Sequence, residues 1–314
     1  MTKTIQHALV TGGAGFIGSH LVDALIKQGT QVTVIDNLTT GKKANLQDAG
    51  SDVDFHEGDI RDRALLQKVM DGVDVVFHQA AVVSVPLSVE QPLASAAVNE
   101  TGTLEVLEAA RQAGCRRVVL ASSSAVYGDD PELPKRETMP FCPMSPYAVQ
   151  KMTGEYYAGL YNKLYGLETA CLRYFNVFGP RQDPSSPYSG VISIFLDRAA
   201  AGRAPVVYGN GEQTRDFVYV HDVVSASLRA ATEDGAAGKA FNIGSGNTIT
   251  INRLWQRVAE LAGIALAPDY QDARHGDILH SVAAIDAARR DLGFVPEIRF
   301  EDGLAQTYAW YQRQ

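Results

Sequence analysis

The sequence predicts an α/β fold in which a doubly wound parallel sheet is followed by a smaller, mixed α/β C-terminal domain. Over the first 178 residues, short apolar runs alternate with segments of helical periodicity, a pattern typical of strands joined by helices. The apolar runs are continuous, as expected for strands covered on both faces. A glycine-rich turn joins the first strand to the first helix, so we expect the Rossmann type of this fold.

The predicted elements divide the chain into two parts. In the first part we predict strands at residues 7–11, 31–35, 53–56, 73–78, 117–122 and 168–174, and helices at residues 15–28, 62–70, 92–113 and 146–165. The stretch RQDPSSPYSG then ends the alternation, because it is rich in turn formers. In the second part we predict helices at 191–201, 220–232, 251–262, 285–292 and 301–312, and strands at 205–208 and 240–243. We therefore expect a Rossmann-type domain at residues 1–178, with parts of 217–245 returning to it, and a smaller, interleaved domain at 179–314.

Composition narrows the class of protein. The chain has 314 residues, 46% of them hydrophobic and 20% charged, and its formal net charge of −8 argues against nucleic-acid binding. No apolar run reaches the roughly 18 residues of a membrane helix, and the N-terminus enters a strand pattern without a signal peptide. Three scattered cysteines fit reduced thiols, and no cluster of metal ligands is present, so we expect a cytoplasmic protein without a metal.

The segment ALVTGGAGFIGSHL predicts a dinucleotide site. Gly12, Gly15 and Gly18 follow a strand and open a helix, where glycines let the backbone approach a pyrophosphate beside the positive end of the helix. Asp36 ends the second strand, 18 residues after Gly18, and its carboxylate suits a ribose 2′-hydroxyl better than a 2′-phosphate. The pattern favours NAD over NADP, although a pair of lysines at 42–43 keeps NADP open.

The segment SPYAVQK predicts a catalytic base. Serine and proline are typical of a helix start, so Tyr147 and Lys151 lie one turn apart on one face. A phenol has a pKa near 10, and a base at pH 7 needs a value lower by roughly 3, about 4 kcal/mol of differential stabilisation. Lys151 and a nicotinamide ring could provide it. Three serines, 122–124, follow the fifth strand and could hydrogen-bond the same substrate oxygen, so the set would take a proton from an alcohol while a hydride leaves.

Several motifs in register resemble one known family. TGGAGFIGSH, DNLTTGKKANL, SSSAVYGDD, SPYAVQK, LRYFNVFGPRQ, GNGEQTRDFVYVHD and ARHGDILHS, in this order, resemble the extended short-chain dehydrogenase/reductases. They resemble most the nucleotide-sugar 4-epimerases of the UDP-glucose/UDP-N-acetylglucosamine type, from about residue 7 to the end. The resemblance implies NAD as cofactor, a UDP-sugar as substrate, and a homodimer in which helices at 100–113 and 147–165 form a four-helix bundle.

The resemblance also implies a set of site residues. Tyr147 would be the base, Lys151 would hold the nicotinamide ribose, and Ser123 would be the catalytic hydroxyl because it precedes Tyr127 by four residues, with Ser124 as the alternative. The implied NAD site consists of Gly12, Gly15, Phe16, Ile17, Asp36, Asn37, Asp59, Ile60, Ala80, Ala81, Asn99, Tyr147, Lys151 and Tyr174. The implied substrate site consists of Ser84, Ser123, Ser124, Tyr147, Asn176, Val191, Tyr208, Arg215, Arg274, Asp277 and Ser281. Within it, the two arginines and Asn176 would hold the diphosphate.

The same resemblance limits the reaction and the sugar. Relatives that dehydrate the sugar carry an acidic residue directly after the catalytic hydroxyl, where this chain has Ser124 and Ala125, so we expect C4 epimerisation. The position seven after Arg274 faces the sugar C2 substituent in related epimerases. The small Ser281 there leaves room for an acetamido group, which favours UDP-N-acetylglucosamine/UDP-N-acetylgalactosamine, with UDP-glucose/UDP-galactose also turned over.

Other functions remain as alternatives. A UDP-glucuronate 4-epimerase or decarboxylase of the same family would need an additional cation near the sugar. A non-catalytic NAD-sensing protein would be expected to have lost Tyr147 or Lys151, and both are present. We expect His78 to be structural or to lie next to the cofactor, because it directly follows an apolar strand, and we expect His221 and Asp222 to cap and pack the start of their helix.

Overall fold

Seven parallel strands form the central sheet. The computed structural model describes residues 3–183, 190–273 and 278–313. The strands of the central sheet and of the smaller ribbons within these residues are β1 (His7–Thr11), β2 (Gln31–Asp36), β3 (Val53–Glu57), β4 (Val75–His78), β5 (Arg117–Ser123), β6 (Glu168–Tyr174), β7 (Asn176–Phe178), β8 (Val206–Tyr208), β9 (Thr214–Arg215), β10 (Phe217–Tyr219), β11 (Lys239–Ile243), β12 (Ile249–Thr250) and β13 (Asp269–Gln271). The sheet order is β3-β2-β1-β4-β5-β6-β11, with every pair parallel. The strand order reverses between β1 and β4, so the predicted doubly wound fold is confirmed.

Helices cover both faces of this sheet. Over the same residues they are α1 (Phe16–Lys27), α2 (Arg63–Val69), α3 (Val85–Glu90), α4 (Pro92–Ala96), α5 (Thr103–Gln112), α6 (Pro146–Tyr165), α7 (Val191–Ala200), α8 (Val220–Thr232), α9 (Ile251–Ala262), α10 (Asp286–Leu292) and α11 (Phe300–Tyr311). Alternate strand residues enter separate cores: Val10 packs with Leu21 of α1 and Val223 of α8, whereas Leu9 packs with α2, α5 and α6. The continuous apolar runs are therefore explained by burial on both faces.

The later part of the chain builds a second core and also returns to the sheet. Helices α7, α9 and α11 pack around Phe195 and Trp255, whose rings meet edge to face at 5.7 Å. Three two-stranded ribbons, β7–β10, β8–β13 and β9–β12, lie in this part. The chain then adds β11 beside β6, and α8 packs against α1. Helix α8 and strand β11 thus return to the sheet built by the first part of the chain.

One predicted helix differs from the structure. Residues 92–113 do not form a single α-helix, because Ala97–Gly102 is a wider π-helical turn between α4 and α5. Buried Asn99 lies in this turn, and its backbone oxygen accepts a hydrogen bond from the Thr103 hydroxyl at 2.7 Å. Such a turn depends on tertiary partners of its polar residues, which apolar periodicity does not reveal. Among the described helices, none has both the length and the apolar character needed to span a membrane.

Candidate functional site

The glycine loop forms a cradle with no room for side chains. Gly12 has a φ of +70°, and a Cβ there would lie 2.8 Å from the backbone nitrogen of Ala80 on the neighbouring loop. A Cβ at Gly18 would lie 2.1 Å from the Gly12 carbonyl oxygen. Helix α1 begins at Phe16, directly after this turn, so its first N–H groups face the loop. This close packing and the helix start fit the pyrophosphate of a dinucleotide.

Asp36 lies against the glycine loop at the end of β2. Its carboxylate accepts hydrogen bonds from the Ala14 N–H at 3.0 Å and the Leu38 N–H at 2.8 Å. Burial raises the pKa of Asp36, and these N–H bonds oppose that rise. The two lysines that kept NADP open are paired with carboxylates, Lys42 with Asp183 at 2.7 Å and Lys43 with Glu57 at 2.8 Å. These are surface ion pairs, which partly neutralise the two lysine charges.

The remaining predicted cofactor residues surround the same edge of the sheet. Asn37 donates to Asp59 at 3.4 Å, and Arg61 holds the Asp59 carboxylate at 2.8 and 2.7 Å, which lowers the pKa of Asp59 to about 2. The carboxamide of Asn99 accepts from the Val82 N–H at 2.8 Å and donates to its carbonyl at 2.9 Å.

Asn99 therefore has little left to offer a ligand. Its second N–H donates to the Gln150 carboxamide at 2.7 Å, so both donors are used within the protein. The side chain fixes the loop after β4, which carries Ala80 and Ala81, to helix α6. On the far side of the sheet, the Tyr174 hydroxyl accepts from Gln79 at 3.2 Å.

Helix α6 presents the predicted base. Ser145 caps the helix by accepting from the Ala148 N–H at 3.2 Å, and Pro146 takes the first helical position, as the sequence predicts. Tyr147 is buried and is hydrogen-bonded to Ser123. One turn later, the Lys151 ammonium lies 5.8 Å from the centre of the Tyr147 ring and donates to the Ala121 carbonyl at 2.8 Å.

The three consecutive serines have different surroundings. Ser122 is buried and donates to Glu155 at 2.5 Å. Ser123 bonds Tyr147, and its oxygen accepts from the Ala125 N–H at 3.2 Å. Ser124 begins the short 3-10 turn Ser124–Tyr127. Of the two candidates left open by the sequence, Ser123 is the one in contact with the phenol.

The protein alone does not lower the pKa of the phenol. Burial raises the pKa of Tyr147, and the Ser123 hydrogen bond only opposes that rise. Burial also lowers the pKa of Lys151 to about 8, so its charge is itself weakly held. One N–H of the Lys151 ammonium donates to the Ala121 carbonyl, and a net lowering of the Tyr147 pKa requires a further positive charge beside the phenol, such as the expected nicotinamide ring.

Several predicted substrate residues lie together on the C-terminal ribbons. The Arg215 guanidinium donates to the Thr214 carbonyl at 2.9 Å, and the Ser281 N–H donates to the same carbonyl at 3.3 Å. The Asn176 side chain donates to the Asp216 carbonyl at 3.1 Å, next to Arg215 in sequence. The structure thus brings together a guanidinium, an amide and the small side chain of Ser281.

The other predicted substrate residues lie on other elements or outside the described residues. Val191 is the first residue of α7, and Tyr208 ends β8. Ser84 is buried and caps α3, because its hydroxyl accepts from the Leu87 N–H at 3.0 Å. Arg274 and Asp277 lie outside the described residues.

Asp216 is a structural residue that the sequence analysis missed. Its carboxylate accepts from the N–H and hydroxyl of Ser245, both at 2.7 Å, and from the N–H groups of Gly246 and Ala283, both at 3.0 Å. Burial raises the pKa of Asp216, while these donors oppose it. One carboxylate therefore joins three segments beside Arg215. The available signal in the sequence was an aspartate directly after the predicted ligand Arg215, but the partners of Asp216 are distant in sequence.

His78 is held by hydrogen bonds inside the protein, whereas Asp222 does not have its expected role. Both ring nitrogens of His78 contact threonine hydroxyls, Thr11 at 2.7 Å and Thr103 at 3.0 Å, and burial lowers the pKa of His78 to about 3. The expected cap at the start of α8 is wrong: the Asp222 carboxylate accepts from the N–H groups of Glu297 and Ile298 instead. No cluster of metal-ligating side chains occurs within residues 3–183, 190–273 and 278–313.

Comparison with known proteins identifies relatives over the whole chain. A model of the NAD dependent epimerase/dehydratase family matches residues 8–244. A putative UDP-glucose 4-epimerase from Methanocaldococcus jannaschii is 43% identical over 304 residues, which span 96% of this chain and 97% of the relative.

Two solved structures are similar over nearly their full lengths. UDP-N-acetylglucosamine 4-epimerase from Methanobrevibacter ruminantium, in complex with UDP-N-acetylmuramic acid, has a TM-score of 0.95 at 41% identity and covers 99% of this chain and 100% of its own. UDP-glucose 4-epimerase from Thermotoga maritima, with UDP-glucose, has a TM-score of 0.94 at 38% identity and covers 98% of this chain and 99% of its own. The family resemblance expected from the sequence motifs is confirmed.

Proposed function

The chain belongs to the NAD-dependent epimerase/dehydratase family, and on that premise we propose that it inverts C4 of UDP-hexoses. The preferred pair in this proposal is UDP-N-acetylglucosamine and UDP-N-acetylgalactosamine, with UDP-glucose and UDP-galactose as secondary substrates. One observation carries the activity: a buried phenol, Tyr147, is hydrogen-bonded to Ser123 and lies one helical turn from Lys151.

NAD fits the glycine cradle. We assign the pyrophosphate to the Gly12–Gly15 turn and the first N–H groups of α1, and the adenine ribose to Asp36, whose buried carboxylate would repel a 2′-phosphate. Tyr147, Lys151 and Tyr174 would lie at the nicotinamide end. When bound, NAD accepts the hydride from C4 and later returns it.

The protein's own side chains transfer the proton and bind the nucleotide sugar. Tyr147 takes the proton of the 4-hydroxyl as the hydride leaves and gives it back in the second half of the reaction. Ser123 hydrogen-bonds the same oxygen. Between the two halves the 4-keto sugar turns to present its other face, so the site must hold UDP firmly and the hexose loosely. Arg215 and Asn176 suit the diphosphate for this purpose.

A Gly18→Ala substitution tests the cofactor site. The added methyl group would lie 2.1 Å from the Gly12 carbonyl oxygen, so the loop must shift away from the pyrophosphate. We expect NAD affinity to fall at least about tenfold, which is about 1.4 kcal/mol. Isothermal titration of the cofactor-stripped protein with NAD measures this. Wild-type affinity in the variant would show that the cofactor does not use this loop.

Ser281 supports the preference for acetylated sugars. Its backbone is bonded to Thr214, adjacent to Arg215, and its small side chain is only half-buried. A bulky side chain at this position would occupy the volume that an acetamido group needs. The preference rests on this single small residue, which makes it open to a direct test.

Two alternatives are less well supported. Ser124 and Ala125, directly after Ser123, provide no acid for dehydration. A UDP-glucuronate enzyme would need a cation for the sugar carboxylate. Buried Lys135 contacts the backbone near Ala283, but its ammonium donates to the Asp130 carbonyl and lies 3.8 Å from that residue's carboxylate. Its charge is therefore already compensated.

Turnover of two sugars, measured side by side, tests the proposal. The purified protein is supplied with UDP-N-acetylglucosamine or UDP-glucose, first without added NAD and then with it, and the C4 epimers are quantified by chromatography. Faster conversion of the acetylated sugar supports the whole proposal. Conversion of UDP-glucose alone keeps the mechanism and removes the sugar preference. No conversion of either sugar, even with NAD, contradicts the proposed activity.

We further propose that the protein is a cytoplasmic homodimer. Helix α6 exposes a row of large apolar side chains on one face: Val149, Tyr156, Leu160 and Leu164. Such a row is typical of a surface that packs against another helix. We assign it to a four-helix bundle made by α5 and α6 of two copies. The three unpaired cysteines fit the reducing cytoplasm.

A Leu160→Glu substitution tests the dimer. A buried, unpaired carboxylate on this face would cost several kcal/mol in the bundle, so we expect a monomer at micromolar concentration. Light scattering coupled to gel filtration gives the mass directly. Leu261→Glu is the matched control, because Leu261 is similarly exposed but lies on α9. If the wild-type protein is itself monomeric, the bundle proposal is wrong.

A further inference from the structure

Glu155 lies on the same face of α6 as Tyr147 and Lys151, one turn further along the helix. Tyr147, Lys151 and Glu155 are each one turn apart on α6, and all three face the end of β5. The first bonds Ser123, the second donates to the Ala121 carbonyl, and the third accepts from Ser122 at 2.5 Å. The last three residues of the strand are therefore each attached to one turn of the same helix.

Glu155 is also half of a buried ion pair. The Arg173 guanidinium, on the neighbouring strand β6, donates to its carboxylate at 2.8 to 3.2 Å, and both side chains are at most 6% exposed. A buried ion pair adds little net stability over apolar side chains of similar volume, because both charges lose their hydration. Its presence under the catalytic strand end therefore suggests a role in geometry, as a rigid and directional joint.

The hydrogen bonds continue from this pair to the substrate side of the site. Arg173 donates to the Tyr127 hydroxyl at 2.8 Å, and that hydroxyl donates to the Asn242 carboxamide at 2.6 Å. Asn242, on β11, donates in turn to the Ala284 carbonyl at 3.2 Å, three residues after Ser281. Every member of this chain of contacts is buried.

We propose that the chain Glu155–Arg173–Tyr127–Asn242 is a positioning device that sets the catalytic strand end against the segment carrying Ser281. It deepens the proposed function and rests on it. Ser123 lies between Ser122, which Glu155 holds, and Tyr127, which Arg173 and Asn242 hold. At its other end, Asn242 holds the Ala284 carbonyl, three residues after Ser281.

The alignment of the β5 end with the segment carrying Ser281 should affect the rate of epimerisation more than the binding of the UDP-sugar. The sugar must be oxidised on one face and reduced on the other, so Ser123 and Tyr147 must meet its C4 oxygen in two orientations. A misplacement of about 1 Å in such a geometry can cost about a hundredfold in rate. UDP binding depends on other groups, so the device should act on kcat with little effect on KM.

Tyr127→Phe tests the device, because it deletes one buried hydroxyl and leaves the ion pair intact. Tyr219→Phe is the matched control: Tyr219 is equally buried, and its hydroxyl donates to Gln306 at 3.0 Å in the C-terminal core. We expect both variants to lose a similar, small amount of melting temperature. Only Tyr127→Phe should lose about tenfold or more in kcat, with KM changed less than about twofold.

Ser122→Ala is the second variant, and crystal structures give a readout that does not depend on turnover. This variant removes the link between the strand end and Glu155 while Arg173 still pairs with the carboxylate. We expect the turn 123–127 to shift relative to Tyr147 in both variants. If that turn superposes on the wild-type turn, or if Tyr127→Phe and Tyr219→Phe have equal kcat, the positioning role is overturned. Failure of the wild-type enzyme to convert any UDP-sugar would instead contradict the proposed function, and the crystal structures would still decide the positioning role.

Discussion

Tyr147→Phe should lower kcat for C4 epimerisation at least about a thousandfold while UDP binding stays within about twofold of wild type. The variant keeps the ring that fills the buried site and removes only the group that transfers the proton. Ser123 retains its hydroxyl, but a neutral alcohol is a poor base for this proton transfer. Steady-state kinetics and titration with UDP separate the loss of chemistry from a loss of binding.

Tyr161→Phe is the control for this prediction. Tyr161 lies on the same helix and is buried, and its hydroxyl donates to Glu108 at 3.1 Å, away from Ser123. Loss of that hydroxyl should leave kcat within about twofold, since removal of one hydrogen bond costs about 1 kcal/mol of stability and no catalytic group. If Tyr147→Phe keeps more than about a tenth of wild-type kcat, another group is the base and the proposed mechanism fails.

Ser281→Tyr should reverse the sugar preference. The phenol ring would fill the space that we assign to the acetamido group, so kcat/KM for UDP-N-acetylglucosamine should fall at least about a hundredfold. UDP-glucose has only a hydroxyl at C2, so its kcat/KM should stay within about threefold of wild type. The ratio of the two kcat/KM values, measured in one competition assay, cancels differences in active-enzyme concentration.

Ser281→Ala separates size from polarity at the same position. It keeps the space and removes the hydroxyl, so we expect the preference for the acetylated sugar to remain. The backbone bond from residue 281 to the Thr214 carbonyl is available in all three proteins. Unchanged turnover of UDP-N-acetylglucosamine by Ser281→Tyr would mean that the side chain does not face C2, and the sugar preference would then have no structural basis.

The main sheet was predictable because each of its strands has its own apolar run. Strands β1 to β6 are recognisable from local sequence, and their alternation with helices determines the parallel order. The ribbons of the C-terminal part were harder to predict, since β9 and β12 have two residues each, too few to show an apolar period. The π-helical turn was missed for a related reason: it depends on contacts of Asn99 with Val82 and Gln150, which are formed only in the folded protein.

In the candidate site too, residues close together in sequence were predictable, whereas contacts between distant segments were not. The spacing of Tyr147 and Lys151 is visible in the sequence because both lie on one helix. Glu155 has the same spacing again, but its significance comes from Ser122 and Arg173, which other strands supply. The sequence also did not reveal that burial raises the pKa of Tyr147, because burial cannot be judged from a tyrosine and a lysine four residues apart.

The Asp216 carboxylate has a consequence for how the protein is made. Its four hydrogen bonds come from Ser245, Gly246 and Ala283, so the third segment is translated long after the glycine loop and the α6 residues. A nascent chain that ends before Ala283 can already contain strands β1 to β6, yet its buried carboxylate lacks a donor and the wall beside Arg215 is unattached. Since Ala288, Leu292 and Phe294 also belong to the core of the sheet, that core and the segment beside Arg215 are both completed late in translation.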